Sequence, residues 1–140
     1  MLFILSNLCY CPQLTKEEAI ILLNTYGKAW EEQDPVLILT IFTPDAIYND
    51  PKEPENHGHD GIREYWMSKV VGEEKDIKFK LLNTWVDGTD VIAEWYAEFV
   101  DTKRNLQIKM TEVAIFTTRG GKFSSLREYY RSEKTPLAVL

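Results

Sequence analysis

Apolar positions change period once along this chain, from helical to alternating, and that change sets the order of its elements. Ala19, Leu23, Tyr26 and Trp30 recur at helical spacing, with Ile20, Ile21 and Gly27 widening the stripe. Thr15 followed by Glu18 forms a capping box at the start, and Glu31-Glu32-Gln33 closes the helix. Gly27 costs about 1 kcal/mol relative to Ala inside a helix, so its presence predicts a close approach by a neighbouring element. Asp34 as N-cap and Pro35 at the first position open a second helix. Val36 to Phe42 is apolar apart from Thr40, so this helix is expected to be buried nearly all round and to stop at Pro44. A short strand over Asp45–Asp50 then puts Ala46, Tyr48 and Asp50 on one face, and Pro51 ends it. After a polar loop, Ile62, Tyr65, Trp66 and Val70 predict a third helix from about Asp60 to Val71, with Gly72 as its cap and Glu73–Asp76 as a solvated connection.

From Ile77 onward the period is two. Ile77, Phe79, Leu81, Asn83 and Trp85 share one face of the first long strand, and Asp87-Gly88-Thr89-Asp90 turns the chain. Val91, Ala93, Trp95, Ala97 and Phe99 share a face of the next, and Leu106, Ile108, Met110, Glu112, Ala114 and Phe116 a face of the third. The last strand, Phe123 to Arg131, carries Leu126, Glu128 and Tyr130 together. Three helices followed by a meander of long antiparallel strands is an α+β pattern, with the helices packed on one face of a curved sheet. Residues 14–132 form one domain, residues 1–13 an apolar N-terminal extension and residues 133–140 a C-terminal tail.

Composition narrows the function classes. The chain of 140 residues is 44% apolar and 27% charged, the profile of one globular domain. Its net charge of −6 argues against nucleic acid and weakly against anionic membrane surfaces. Met1 to Cys11 is apolar except for Ser6 and Asn7 but lacks the basic start and small-residue cleavage site of a secretory signal, and it is too short to span a bilayer. It reads as an extension packed on the domain or a partner subunit, or else as an atypical signal or tether. Cys9 and Cys11 stand too close for an easy disulfide and make no zinc pattern with His57 and His59, which favours a reducing, cytoplasmic setting.

Candidate chemistry lies in a few polar groups on apolar faces. Glu112 is the one ionisable residue on its strand face, and Glu128 is similar, so burial should favour their neutral forms. Two carboxyls facing one cavity would push each other further. An ionised Asp50 could accept a proton while a neutral Glu donates a hydrogen bond, the asymmetry that proton shuttling at carbon needs. Each residue also has a structural alternative. Asp50 could be a turn residue, Tyr26 a core aromatic, and Glu112 an ion-pair partner of Arg127, Arg63 or Lys109. Trp30, Trp66, Trp85 and Trp95 serve as core or pocket wall, and His57 and His59 as surface residues. No phosphate loop, nucleophile elbow or metal signature is present, so no cofactor is expected.

Tyr26-x-x-x-Trp30, Asp34-Pro35, Phe42-x-x-Asp45-Ala46-x-Tyr48-x-Asp50-Pro51 and Gly58-x-Asp60-Gly61-Ile62-Arg63-x-Tyr65-Trp66 resemble the SnoaL-like branch of the NTF2-like superfamily. The resemblance covers about Leu14 to Arg131 and implies the cone-shaped, cystatin-like α+β fold that also holds ketosteroid isomerase. In that comparison Tyr26 falls at the oxyanion-hole tyrosine, Asp50 at the catalytic base and Glu112 at the second oxyanion donor, an acid kept neutral by its site. The implied pocket lining is Trp30, Tyr48, Tyr65, Trp66, Trp85, Trp95, Met110, Glu128 and Tyr130. Scytalone-dehydratase-like members use interior histidines, which are missing here. Limonene-type epoxide hydrolases carry an Arg where this chain has Met110. The resemblance implies a homodimer with a pocket for a small apolar molecule. Its function is then cofactor-free acid/base catalysis on a carbonyl compound, as an isomerase, cyclase or lyase, or non-catalytic ligand binding as a dimeric scaffold.

Overall fold

The computed structural model describes residues 13–138, so the expectations for the apolar extension fall almost wholly outside the described residues. Helix α1 (Lys16–Glu32) starts at the Thr15 cap, whose side chain accepts from the Glu18 amide. Helix α2 (Pro35–Leu39) follows an Asp34 cap that accepts from the amides of Val36 and Leu37. Strand β1 (Phe42–Asn49), the two-residue β2 (Asn56–His57) and α3 (Gly58–Tyr65) come next, and α3 runs into a π-helical turn over Trp66–Val71. Four long strands complete the chain: β3 (Glu74–Asp87), β4 (Asp90–Asp101), β5 (Leu106–Arg119) and β6 (Lys122–Pro136). They form one curved, open sheet of order β2-β1-β6-β5-β4-β3, parallel between β1 and β6 and antiparallel elsewhere. This is the α+β architecture that the change of period predicts. Among the described residues, no helix is long and apolar enough to cross a membrane.

The core lies between the helices and the concave face of the sheet. Trp66, Trp95, Phe42, Phe116 and Phe123 are its largest fully buried side chains, and the Phe116 and Phe123 rings stack at 4.1 Å. Gly27 has the close approach that its position predicts: a Cβ there would run into the Phe79 ring of β3.

Five boundaries differ from the sequence pattern. Helix α2 ends before Thr40, whose hydroxyl turns back to the Leu37 carbonyl, and Val36 is exposed rather than buried. Pro44 lies inside β1, not at a helix end. It is tolerated because the pairing of β1 with β6 is irregular between Phe42 and Ile47. Gly72 is right-handed, so α3 is not closed by a left-handed cap. Strand β3 begins at Glu74, inside the stretch expected to be a solvated connection, and β6 continues through Pro136 by pairing with Leu106. In β3 the register shifts between Leu81 and Asn83, leaving Leu82 as an extra residue. That bulge inverts the faces beyond it: Thr84 is buried and Trp85 is 50% exposed.

Candidate active site

Helical spacing in α1 sets Tyr26 and Trp30 one turn apart on the face turned to the sheet. Alternation sets Met110 and Glu112 on β5 and Glu128 and Tyr130 on β6 against them, with Glu112 directly opposite Tyr130. Tyr48 comes from β1, Asp50 from the turn after it and Tyr65 from the end of α3. All of these residues, with Trp66, line one cavity of about 350 Å³.

Asp50, 9% exposed, accepts from the Tyr65 hydroxyl at 2.8 Å, the Tyr130 hydroxyl at 3.1 Å and the Lys52 amide at 3.0 Å. It faces into the cavity and is held there by two phenols, so it is more than a turn residue. The Glu128 Oε1 atom accepts from Tyr26 at 3.0 Å and from Tyr48 at 2.9 Å, and the two phenolic oxygens are themselves 2.9 Å apart. With Glu128 ionised, both phenols aim their protons at Oε1 and the contact between them carries none. A proton on Glu128 supplies the third donor and satisfies all three contacts. The electrostatics agree: burial foremost, then the Asp50 charge, pushes Glu128 up to about 8, against the lowering effect of the two phenols.

Glu112 is 3% exposed, and its Oε1 has no hydrogen-bond partner. It does not reach Arg127, Arg63 or Lys109 and it does not lie on the outer face. Burial foremost, then the Glu128 and Asp50 charges, holds its carboxyl well above the usual range and favours its protonated form. The indole of Trp95, its cross-strand neighbour, offsets this only in part and stays outside hydrogen-bond geometry.

Sequence reasoning missed Glu74. It sits in the stretch expected to be solvated, yet it lines the cavity and accepts from the Trp30 indole at 2.8 Å. Burial raises it to about 7, the indole lowering it and Asp101 and Asp50 adding to the rise. The charge run around it hid the signal, because only the pairing of β3 with the end of β4 reveals the burial.

Two expected lining residues are corrected. Trp85 is on the outer face beyond the β3 bulge. Trp95 is fully buried behind Tyr26, with ring centroids 5.1 Å apart, and does not border the cavity. The Tyr26 hydroxyl is engaged by Glu128 and Tyr48 and is not a free donor. His59 bonds the Phe42 carbonyl at 2.9 Å, and His57 is exposed beside Glu55. Among the described residues, no group of His, Cys, Asp and Glu is placed to hold a metal.

Known proteins agree with this architecture. The model of the SnoaL-like domain matches residues 23–126. The fold is similar to the epoxide hydrolase/cyclase-like enzyme SalBIII, described for pyran ring formation in the polyether salinomycin. That match is 25% identical, covers 82% of this chain and 92% of that one, and has a TM-score of 0.68. An epoxide hydrolase of the LEH-like type from M. tuberculosis is 16% identical, with coverage of 83% and 84% and a TM-score of 0.69. An NTF2-like protein from Anabaena variabilis is 20% identical, with coverage of 84% and 89% and a TM-score of 0.73. No curated protein matches the chain. With the family model spanning most of the sequence, and the cone, its helices and its strand order in place, this chain belongs to the SnoaL-like domain family.

Proposed function

We propose that the chain is a cofactor-free acid/base enzyme acting on a small, largely apolar carbonyl compound, as an isomerase, cyclase or lyase. The observation that carries this reading is the coexistence, in one cavity, of a buried carboxyl with an unpartnered oxygen and a second carboxyl held by two phenols. Asp50 is the base: its carboxylate takes the proton from a carbon next to the carbonyl. Glu112 is the donor: its proton is shared with, or passed to, the carbonyl oxygen as charge develops there. In an isomerisation Asp50 returns the proton to a second carbon and Glu112 recovers its own, so the protein ends unchanged. Tyr26 acts through Tyr48 and Glu128 rather than on the oxygen directly, which revises the role its position implies in ketosteroid isomerase. The likeness to proteins described as an epoxide hydrolase and a cyclase supports acid/base chemistry in this cone. Met110 leaves the cavity without the arginine of the limonene type, so opening of an epoxide ring is the weaker fit. The enzyme is proposed to work as a homodimer in the cytoplasm.

The test is hydrogen–deuterium exchange at the α-carbons of a panel of small cyclic ketones and enones in D₂O, followed by proton NMR. The wild-type protein should catalyse exchange in at least one of them. Asp50→Asn should abolish it with little change in melting temperature, and Glu112→Gln should retain part of it because an amide still donates a hydrogen bond. Exchange that persists in Asp50→Asn would remove Asp50 as the base and favour a ligand-binding module.

A further inference from the structure

Seven carboxyl groups line this single cavity; Glu53, Glu73 and Asp101 are paired with Lys69, Lys103 or Arg104, which leaves those of Asp50, Glu74, Glu112 and Glu128. Among the described residues, no Lys, Arg or His side-chain nitrogen comes within 4.0 Å of any of these four. Of the four cations that line the cavity, two are paired with other acids. Lys69 pairs with Glu53 at 2.7 Å and Glu73 at 3.8 Å, and Arg104 pairs with Asp101 at 2.8 Å. Lys52 sits over the Tyr130 ring, 4.9 Å from its centroid, and Lys134 is exposed. The most buried of the four acids, Glu112, has an oxygen with no partner at all. Around the carboxyls stand the rings of Tyr26, Trp30, Tyr48, Tyr65 and Trp66.

A neutral carbonyl compound uses one base and one proton donor. It gives no reason for four acids without a counter-ion. A monocation with an apolar body uses both: the carboxyl group cluster for its charge and N–H groups, and the aromatic rings for its flanks. We propose that the ligand of this cavity carries a protonated amine, a small alicyclic or aliphatic ammonium whose body packs on the Tyr–Trp wall and whose charge is met by this group of four carboxyls. This rests on the cavity being a ligand site, as the proposed function does, but not on catalysis.

Proton linkage follows. The titratable groups facing Glu128 are Tyr26 from α1, Tyr48 and Asp50 from β1 and its end, Tyr65 from α3, Glu74 from β3, Glu112 from β5 and Tyr130 on its own strand. None of them is a cation. An arriving ammonium supplies the missing charge and favours ionised Glu112 and Glu128, so its binding should release protons near neutral pH.

Calorimetric titration of the full-length protein at pH 8 with cyclohexylamine and with its neutral isostere cyclohexanol tests the proposal, in two buffers of different ionisation enthalpy. The amine should bind about ten-fold more tightly than the alcohol, with proton release seen as a buffer-dependent heat. Glu112→Gln should cut amine affinity by about ten-fold and affect the alcohol's affinity less. The wild-type comparison decides the matter even if that variant does not fold. Equal or tighter binding of cyclohexanol overturns the amine proposal and leaves the acid/base reading standing. Binding of neither compound also overturns the amine proposal, and the hydrogen–deuterium exchange assay then decides the acid/base reading on its own.

Discussion

Single residues carry the electrostatics of the cavity, and their consequence is measurable as stability. Glu128 and Glu74 hold protons in the folded state up to about pH 8 and about pH 7, whereas an unfolded Glu releases its proton near 4.5. Between those values the folded state binds more protons than the unfolded one, so stability falls as pH rises. The contribution is present in full below pH 4.5 and is lost as pH climbs through 7 and 8. The carboxyls of Asp45 and Asp101 are shifted down by their arginine partners, with Asp101 opposed by burial, and act only at lower pH. Melting temperature should therefore be higher at pH 5.5 than at pH 8, and Glu128→Gln should flatten that slope, as read by thermal melts across the range. The sequence made Glu112 and Glu128 legible because each is a lone charge on an apolar strand face. Glu74 was not legible, since nothing in Glu73-Glu74-Lys75-Asp76 separates a half-buried, cavity-lining acid from its neighbours.

Elements were readable wherever period and capping agree. The Thr15 and Asp34 caps, the helical stripe of α1 and the alternation of β4 and β5 all stand as read. The failures are local irregularities that periodicity does not encode. One extra residue at Leu82 reversed Trp85, and a π-helical turn took the place of a capped end on α3. Trp66 within that turn lines the cavity, in keeping with the tendency of π-helical segments to occur at functional sites. Gly27 shows how element packing overrides propensity. Gly27→Ala should gain about 1 kcal/mol of helix propensity and lose more by collision with Phe79, a net destabilisation of about 1–3 kcal/mol in chemical unfolding. The pair Gly27→Ala with Phe79→Leu should recover most of that loss. A stable single variant would mean that α1 does not sit so close to β3.

At the scale of the whole molecule, the helices cover the concave face of the sheet and leave the convex face with an apolar stripe. Trp85, Ile92 and Ile115 lie in one row across β3, β4 and β5, and the exposed pair Val113 and Tyr129 lies beside it. Exposed apolar patches of this kind often mark interfaces, and this face is the one proposed for the homodimer. Light scattering at micromolar concentration should give twice the 16.3 kDa of one chain, and Val113→Asp should return it to the monomer mass. A wild-type monomer would remove the dimer from the account. The bulge that misled the sequence reading of Trp85 thus moves an indole from the cavity to the face proposed for a second subunit.

The central claim is that buried carboxylic acids in this cavity keep their protons at neutral pH while sharing it with Asp50. Carbon-13 NMR of the glutamate side-chain carboxyls, titrated from pH 4 to 9 and assigned with Glu112→Gln and Glu128→Gln, tests it without any substrate. The account predicts that the resonances lost in these variants titrate well above the ordinary glutamate value of about 4.3, with Glu128 changing near pH 8. Two resonances that titrate with the surface glutamates would contradict it: the cavity would then hold only carboxylates and no proton donor.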